Sequence, residues 1–304
     1  MKFLLFSDFH HAPGHFMSGG DADMTVLLDH AKAAEVDFII HTGDFASCSY
    51  EPQITELIER YNNFDIPTYH CLGNHDADKL TKDETVALYG MPHDHYFFDC
   101  KGYRFVVLNP NYLLHEGEYI PYGKGNYFKA PKERDWLPPE QIAFLKEAID
   151  SAPHPVVILS HESFERPNGV KNREEVLEII NTANKKRPHS VLMCINGHHH
   201  RDHLRVMDGV LFFDMNSTRF DWLKVTHDLY PADLAAQYKH LNRCVHWNDP
   251  LHCIVTLEGN TVEIEGMESS YFMGVTTEMT DSPKYDKAGR PATPKVQSAR
   301  ITLG

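Results

Sequence analysis

Five short apolar runs in this chain each end on residues able to bind a metal ion. The run at residues 2–7 leads into Asp8-Phe9-His10, and Val36–Ile40 leads into His41-Thr42-Gly43-Asp44. Ile66–Leu72 ends at Gly73-Asn74-His75-Asp76, Val156–Leu159 at His161, and Val191–Ile195 at Gly197-His198-His199-His200. Continuous apolar runs of this length, bounded by turn residues, read as buried strands. Helix-like patterns at about 24–34 and 52–62 separate the first three, which is the alternation of βαβ units and a largely parallel sheet. In open α/β sheets, sites form in the crevice at the carboxyl ends of the strands. Asp8, His10, Asp44, Asn74, His75, His161, His198 and His200 are therefore expected around one crevice.

The second half repeats the theme less regularly. His95–Cys100 and Tyr103–Leu108 flank Lys101-Gly102 and predict a hairpin, as do Leu204–Met207 and Val210–Met215 around Asp208-Gly209. Pro138-Pro139 open a helix to about Ile149, with proline in its favoured first turn. Asn172 with Glu175 reads as a capping box starting a helix to about Lys186. Residues 110–137 carry many Tyr, Gly, Asn and Pro without a period and read as a long loop, a class that is usually functional or disordered. The tail beyond about Asp281 is flexible by composition. The expected organisation is one domain, residues 1–268, with a C-terminal extension, residues 269–304.

Composition narrows the partners. A chain of 304 residues with 42% hydrophobic side chains can bury a sizeable core. A formal charge of −14 argues against nucleic acid as a partner, since that needs a basic stripe to displace counterions. It does not exclude an anionic substrate, because bound cations invert the local field. Cys48, Cys71, Cys100, Cys194, Cys244 and Cys253 lie far apart, which suits neither a disulfide framework nor a thiolate zinc site. The apolar start of the chain is too short for a signal-peptide core, and no later segment is long enough to span a bilayer. The expected location is the cytoplasm, with no membrane partner. The oligomeric state is left open.

The donor set has its own chemistry. Carboxylate and amide oxygens with imidazole nitrogens, and no thiolate, favour Mn, Fe, Zn or Ni over Ca or Mg. A carboxylate has two oxygens with which to bridge two cations, and Asp44 lies mid-set. A lone His161 after a strand is more often a satisfied polar residue than a ligand; the weight lies in the assembled set.

Asp8-Phe9-His10, Gly43-Asp44, Gly73-Asn74-His75-Asp76, His161 and Gly197-His198-His199-His200, in that order, resemble the calcineurin-like metallophosphoesterases over roughly residues 1–217. The resemblance implies an α/β fold, a four-layer αββα sandwich of two mixed β-sheets flanked by helices. It implies two divalent or trivalent transition-metal ions, of Mn, Fe or Zn. Asp8, His10 and His200 would hold one, Asn74, His161 and His198 the other, and Asp44 both. His75 would face the scissile phosphate and neutralise charge or protonate the leaving oxygen. The implied activity is hydrolysis of phosphate esters by attack of a metal-bound hydroxide, a phosphodiesterase or phosphatase acting on a small molecule such as a nucleotide.

One position departs from the family's serine/threonine phosphatase branch, where an acidic residue then arginine follows the bridging aspartate by three residues. Here Ser47 and Cys48 stand there. That argues against protein phosphatase activity and leaves the orienting partner of His75 open, with Asp76 the adjacent candidate. Around the core, the 110–137 loop offers Asn111, Tyr112, His115, Tyr119, Tyr122, Asn126 and Tyr127 for stacking and hydrogen bonding. Arg166, Asn168, Lys171, Arg173, Arg201 and Arg219 are candidates for phosphate oxygens. A nuclease and a non-catalytic protein-binding scaffold of the same fold are the alternatives; the presence of His75 and all seven proposed ligands favours catalysis.

Overall fold

The computed structural model of the protein describes residues 1–16, 19–47, 52–238, 240–286 and 289–304. Cys48 lies outside them. Two six-stranded sheets form the centre. Across the first, in order, run Ala299–Thr302, Thr261–Gly266, Cys253–Glu258, Lys2–Phe6, Phe38–His41 and Thr68–His70. The last three of these are mutually parallel and the others antiparallel. Across the second run His203–Met207, Val210–Asp214, Val191–Asn196, Val156–Leu159, Tyr103–Val107 and Tyr96–Cys100. Its four inner strands are parallel and its two edges antiparallel.

Both sheets are thus mixed rather than largely parallel. The short links at Lys101-Gly102, Asp208-Gly209 and Gly259-Asn260 leave no room for a crossover, so their strands must pair antiparallel.

The period-2 alternation of strands decides what each layer buries. Phe105, Val107, Val157 and Leu159 face the first sheet, while Val106, Leu108, Val156 and Ile158 pack under helices Pro139–Asp150 and Arg173–Lys186. Between the sheets Phe3 stacks on Phe38 at 5.0 Å, and Phe105 meets both edge-on at 5.4 and 4.9 Å. Truncating such a ring to alanine costs about 3–5 kcal/mol. Helices Asp21–Ala33 and Pro52–Asn62 cover the first sheet through Met24, Leu27, Leu28, Ile54, Leu57 and Ile58. The result is the four-layer αββα sandwich.

Three local expectations change. The 110–137 segment contains a hairpin, Tyr112–His115 with Glu118–Pro121, and a 3-10 turn at Asn126–Lys129. Asn172 precedes the helix Arg173–Lys186 but does not cap it: its side chain accepts from Leu137 N at 3.0 Å and donates to Leu137 O at 2.9 Å. The tail is held in place. Asn216 donates to the carbonyls of Thr293 and Lys295 at 2.7 and 3.0 Å, Arg290 pairs with Glu165 and Asp214, and Ala299–Thr302 extends the first sheet. Among the described residues no helix is long and apolar enough to cross a membrane.

Candidate metal centre

The parallel strands of both sheets end on one crevice. Asp8 and His10 follow Lys2–Phe6, Asp44 follows Phe38–His41, and Asn74 follows Thr68–His70. The second sheet brings His161 after Val156–Leu159, and His198 and His200 after Val191–Asn196. Five of these seven residues have left-handed backbones: Asp8, His10, Asp44, His198 and His200, with φ between 49° and 66°. Such a conformation costs a non-glycine residue about 1 kcal/mol or more, and its clustering is typical of functional sites. The loops also approach too closely for any Cβ at three glycines: one on Gly43 would collide with His161, one on Gly73 with Asp44, and one on Gly197 with Ser7 and Asp8.

The side chains form two groups sharing one atom. In the first, His200 Nε2 lies 3.1 Å from Asp8 Oδ1 and 3.3 Å from His10 Nε2. In the second, His198 Nδ1 lies 2.9 Å from Asn74 Oδ1 and 3.3 Å from His161 Nε2. Asp44 Oδ2 stands between them, 3.5 Å from His10 Nε2 and 3.2 Å from His161 Nε2. All seven residues therefore meet in one crevice. His75 is beside them, its ring 5.1 Å from that of His10.

The outer atoms fix which lone pairs point inward. His161 Nδ1 faces Thr42 O at 2.7 Å and His200 Nδ1 faces Phe220 O at 3.0 Å, so each donates a proton there and turns Nε2 into the crevice. Ser47 Oγ lies 3.1 Å from His10 Nδ1 and gives the departing position a use, steadying that ring. Asp8 Oδ2 accepts from Ser7 Oγ at 2.5 Å and His198 N at 3.0 Å, while Asp8 Oδ1 is buried without a hydrogen-bond partner. A buried carboxylate oxygen without a donor, ringed by imidazole lone pairs, is a site built for cations.

The charges agree. Burial opposes ionisation of Asp8, yet His200 and His10 hold its carboxyl well below the usual range. Asp44 is held low in the same way, against burial, chiefly by His161 and His75. Burial disfavours a proton on His161, but Asp44 and Asp8 raise it well above the ordinary imidazole value. The carboxylates draw positive charge to the middle of the crevice.

His75 is oriented by Asp78, not by Asp76. His75 Nδ1 lies 3.0 Å from Asp78 Oδ2, and Tyr127 OH donates to Asp78 Oδ1 at 2.6 Å. Asn74 Nδ2 in turn donates to Tyr127 OH at 3.3 Å. Burial lowers the affinity of His75 for a proton, but Asp44 and Asp78 raise it above the ordinary value overall. Asp76 turns the other way: it accepts from Asp44 N at 2.9 Å, Ala46 N at 3.2 Å, Gly73 N at 2.8 Å and Tyr89 OH at 2.6 Å. It ties the Asp44 turn to the Gly73 turn. Burial and the Asp44 carboxylate push its pKa up to about 7.

Of the surrounding candidates, only Tyr127 reaches the centre. Tyr112 and Tyr122 hydrogen-bond Asp94 and Asp135 at 2.7 and 2.9 Å, and His115 faces Glu133 at 3.0 Å. Tyr119 is half-buried, and Asn111 and Asn126 donate to Leu72 O and Pro121 O. The arginines are engaged: Arg166 with Asp286, Arg201 with Asp221, Arg219 with Asp23, and Arg173 with Glu165 O. Asn168 and Lys171 are exposed. Glu162, fully buried beside His161 and grouped with His198, carries no signal in the sequence beyond its adjacency to His161. Burial raises its pKa to about 8.

A family model described as calcineurin-like phosphoesterase matches residues 1–202. The manganese-dependent ADP-ribose/CDP-alcohol diphosphatase of Oryza sativa subsp. japonica is 34% identical over 89 residues, covering 26% of this chain and 27% of that protein. The chain thus spans about a quarter of that relative's length. Among solved structures, a dimetal phosphatase from Danio rerio superposes with a TM-score of 0.66 at 14% identity, covering 100% of this chain and 99% of that one. GAP50, the anchor in the inner membrane complex of Plasmodium, superposes with a TM-score of 0.55 at 14% identity, covering 100% and 89%. At such identities the superpositions speak for the fold alone.

Proposed function

The chain belongs to the calcineurin-like phosphoesterase family, a family of metal-dependent phosphoester hydrolases, and from that premise we propose that it hydrolyses a phosphate ester of a small molecule such as a nucleotide. In this reading residues 1–268 are the catalytic domain and 269–304 an extension closing the edge of its first sheet. Asp8, His10 and His200 would hold one metal ion, Asn74, His161 and His198 the second, and Asp44 would be shared by both. The observation that carries the assignment is the position of Asp44 Oδ2, 3.5 Å from His10 Nε2 and 3.2 Å from His161 Nε2.

A metal pair, when bound, polarises phosphoryl oxygens and lowers the pKa of water so that a nucleophile is available near neutral pH. The chain's own residues supply the rest. Asp78 holds His75 through Nδ1 and favours its protonated state, which leaves Nε2 to neutralise a phosphoryl oxygen or protonate the leaving oxygen. Asp76 keeps the Asp44 and Asn74 turns at a fixed separation by accepting from both. The manganese-dependent ADP-ribose/CDP-alcohol diphosphatase activity of the rice relative supports a nucleoside diphosphate derivative as substrate and manganese among the native metals. The formal charge of −14 disfavours the nuclease reading.

The test is a panel of p-nitrophenyl phosphate, bis-p-nitrophenyl phosphate, nucleotides and nucleoside diphosphate derivatives, run across Mn, Fe, Zn and Ni with metal content measured. Turnover of at least one class, dependent on about two equivalents of metal, is the expected result. A metal-loaded protein inert to the whole panel would replace this reading with the scaffold.

A further inference from the structure

A second cluster of ligand-type atoms lies outside the crevice, where residues 93–95 lead into the strand Tyr96–Cys100. His93 Nδ1 lies 2.6 Å from Asp94 Oδ1, His95 Nδ1 lies 2.8 Å from the same oxygen, and the two nitrogens are 3.1 Å apart. Three consecutive side chains thus meet at one point, which an extended strand, pointing them to alternate faces, does not do.

The carboxylate is held for this. Asp94 is buried, and its Oδ2 accepts from Tyr112 OH at 2.7 Å and Asn109 Nδ2 at 3.0 Å, with Lys82 Nζ at 3.6 Å. Those donors occupy one oxygen and turn the other, Oδ1, outward between the two imidazoles. Such outer partners orient ligands in metal sites. Against Phe144, at 4.8 Å between rings, the His95 ring is fixed as well. His93 is 59% exposed and gives the site its opening to solvent.

The spacing matches one geometry. Three ligand atoms about 2.1 Å from an octahedral ion lie about 3 Å apart when they share a face, and about 3.4 Å apart around a tetrahedral ion. The observed 2.6, 2.8 and 3.1 Å suit the octahedral face. Two ring N–H groups directed at one oxygen from 3.1 Å apart would also set like dipoles together, and a cation on three lone pairs removes that conflict.

We propose that His93, Asp94 and His95 form a third transition-metal site, a two-histidine, one-carboxylate face with its remaining positions open to water. Its ligand is a borderline divalent cation that accepts octahedral coordination, such as Ni²⁺. Bound there, the cation braces the entry to the Tyr96–Cys100 strand against Asn109 and the Tyr112 hairpin through Asp94.

The experiment is equilibrium dialysis of the Mn²⁺-loaded full chain against Ni²⁺, with total Mn plus Ni counted per chain. The comparison is with His93→Ala, with His93→Ala/His95→Ala, and with His115→Ala as a control for surface histidines. Total metal, rather than nickel alone, cancels any exchange in the crevice. The double variant should hold one equivalent less than the parent and the control, His93→Ala should bind that equivalent at least about tenfold more weakly, and phosphoester turnover should stay within about twofold in both. Equal metal content in parent and double variant overturns the proposal, as does an equal loss in His115→Ala. Because His93→Ala changes an exposed side chain, its result stands even where the double variant folds poorly.

Discussion

Asp78 Oδ2 sits 3.0 Å from His75 Nδ1, and the same carboxylate accepts the Tyr127 hydroxyl at 2.6 Å. The pair holds the ring of His75 from behind and raises its affinity for a proton. Replacing Asp78 by asparagine removes the charge and keeps the size. In Asp78→Asn turnover should fall about 10-fold or more with metal content unchanged. The basic limb of the pH–rate profile should move to lower pH, because His75 then loses its proton earlier. A fall in turnover with an unmoved basic limb would show that Asp78 is only a packing partner.

Asp44 and His75 are adjacent in space and opposite in expected effect. His75 N donates to Asp44 Oδ1 at 2.7 Å, yet Asp44 Oδ2 lies within 3.5 Å of a histidine of each group. Asp44→Ala should lose metal from both positions and all turnover. His75→Ala should keep both ions and lose about 10²–10⁴-fold in turnover. Metal analysis of the two proteins separates the roles, and loss of metal in His75→Ala would sink the assignment of His75.

Much of this centre is legible in the sequence because a buried parallel strand needs an unbroken apolar run, and each run here stops at a proposed ligand. The partners of those ligands are not legible in that way. Asp78 is near His75 in the chain but reaches it only because residues 75–77 form a 3-10 turn, and Tyr127 comes from a segment without a period. Ser47 looks like a loss relative to the protein-phosphatase pattern, yet its hydroxyl is beside His10 Nδ1. Asn172 carries a helix-start signature, but the Leu137 backbone, 35 residues away, takes its side chain. Local signals fail where a long-range partner competes for the same atoms.

Phe128 is 58% exposed, an unusual place for a large ring, and it stands 4.2 Å from the Tyr127 ring and 6.0 Å from that of His75. Tyr127 is fixed by Asp78, so the neighbouring ring offers a steady face at the edge of the site. Stacking of a base on such a face contributes about 1–3 kcal/mol. Phe128→Ala should therefore raise KM for a nucleotide by about 5- to 100-fold and leave hydrolysis of glycerol phosphate unchanged. An equal loss for both substrates would mean that the ring supports the loop rather than the ligand.

Far from the centre, His252 is fully buried, with Nδ1 donating to Pro250 O at 2.8 Å and Nε2 2.6 Å from His30 Nδ1. Burial pushes its pKa down to about 4, against an ordinary imidazole value near 6.5. Below pH 6.5 the unfolded chain therefore takes up a proton at this position that the folded chain refuses until about pH 4. The stability this group contributes is complete above pH 6.5 and is lost as the pH falls through that window, at about 1.4 kcal/mol per unit. Urea unfolding at pH 7 and pH 5 should show a loss of about 2 kcal/mol from this histidine alone. His246, buried near Arg219 and pushed down to about 3, adds to the same slope. In His252→Gln the acid-side slope should shrink by one proton while that from His246 persists. An unchanged slope would mean that His252 takes up its proton in the folded protein as readily as in the unfolded chain.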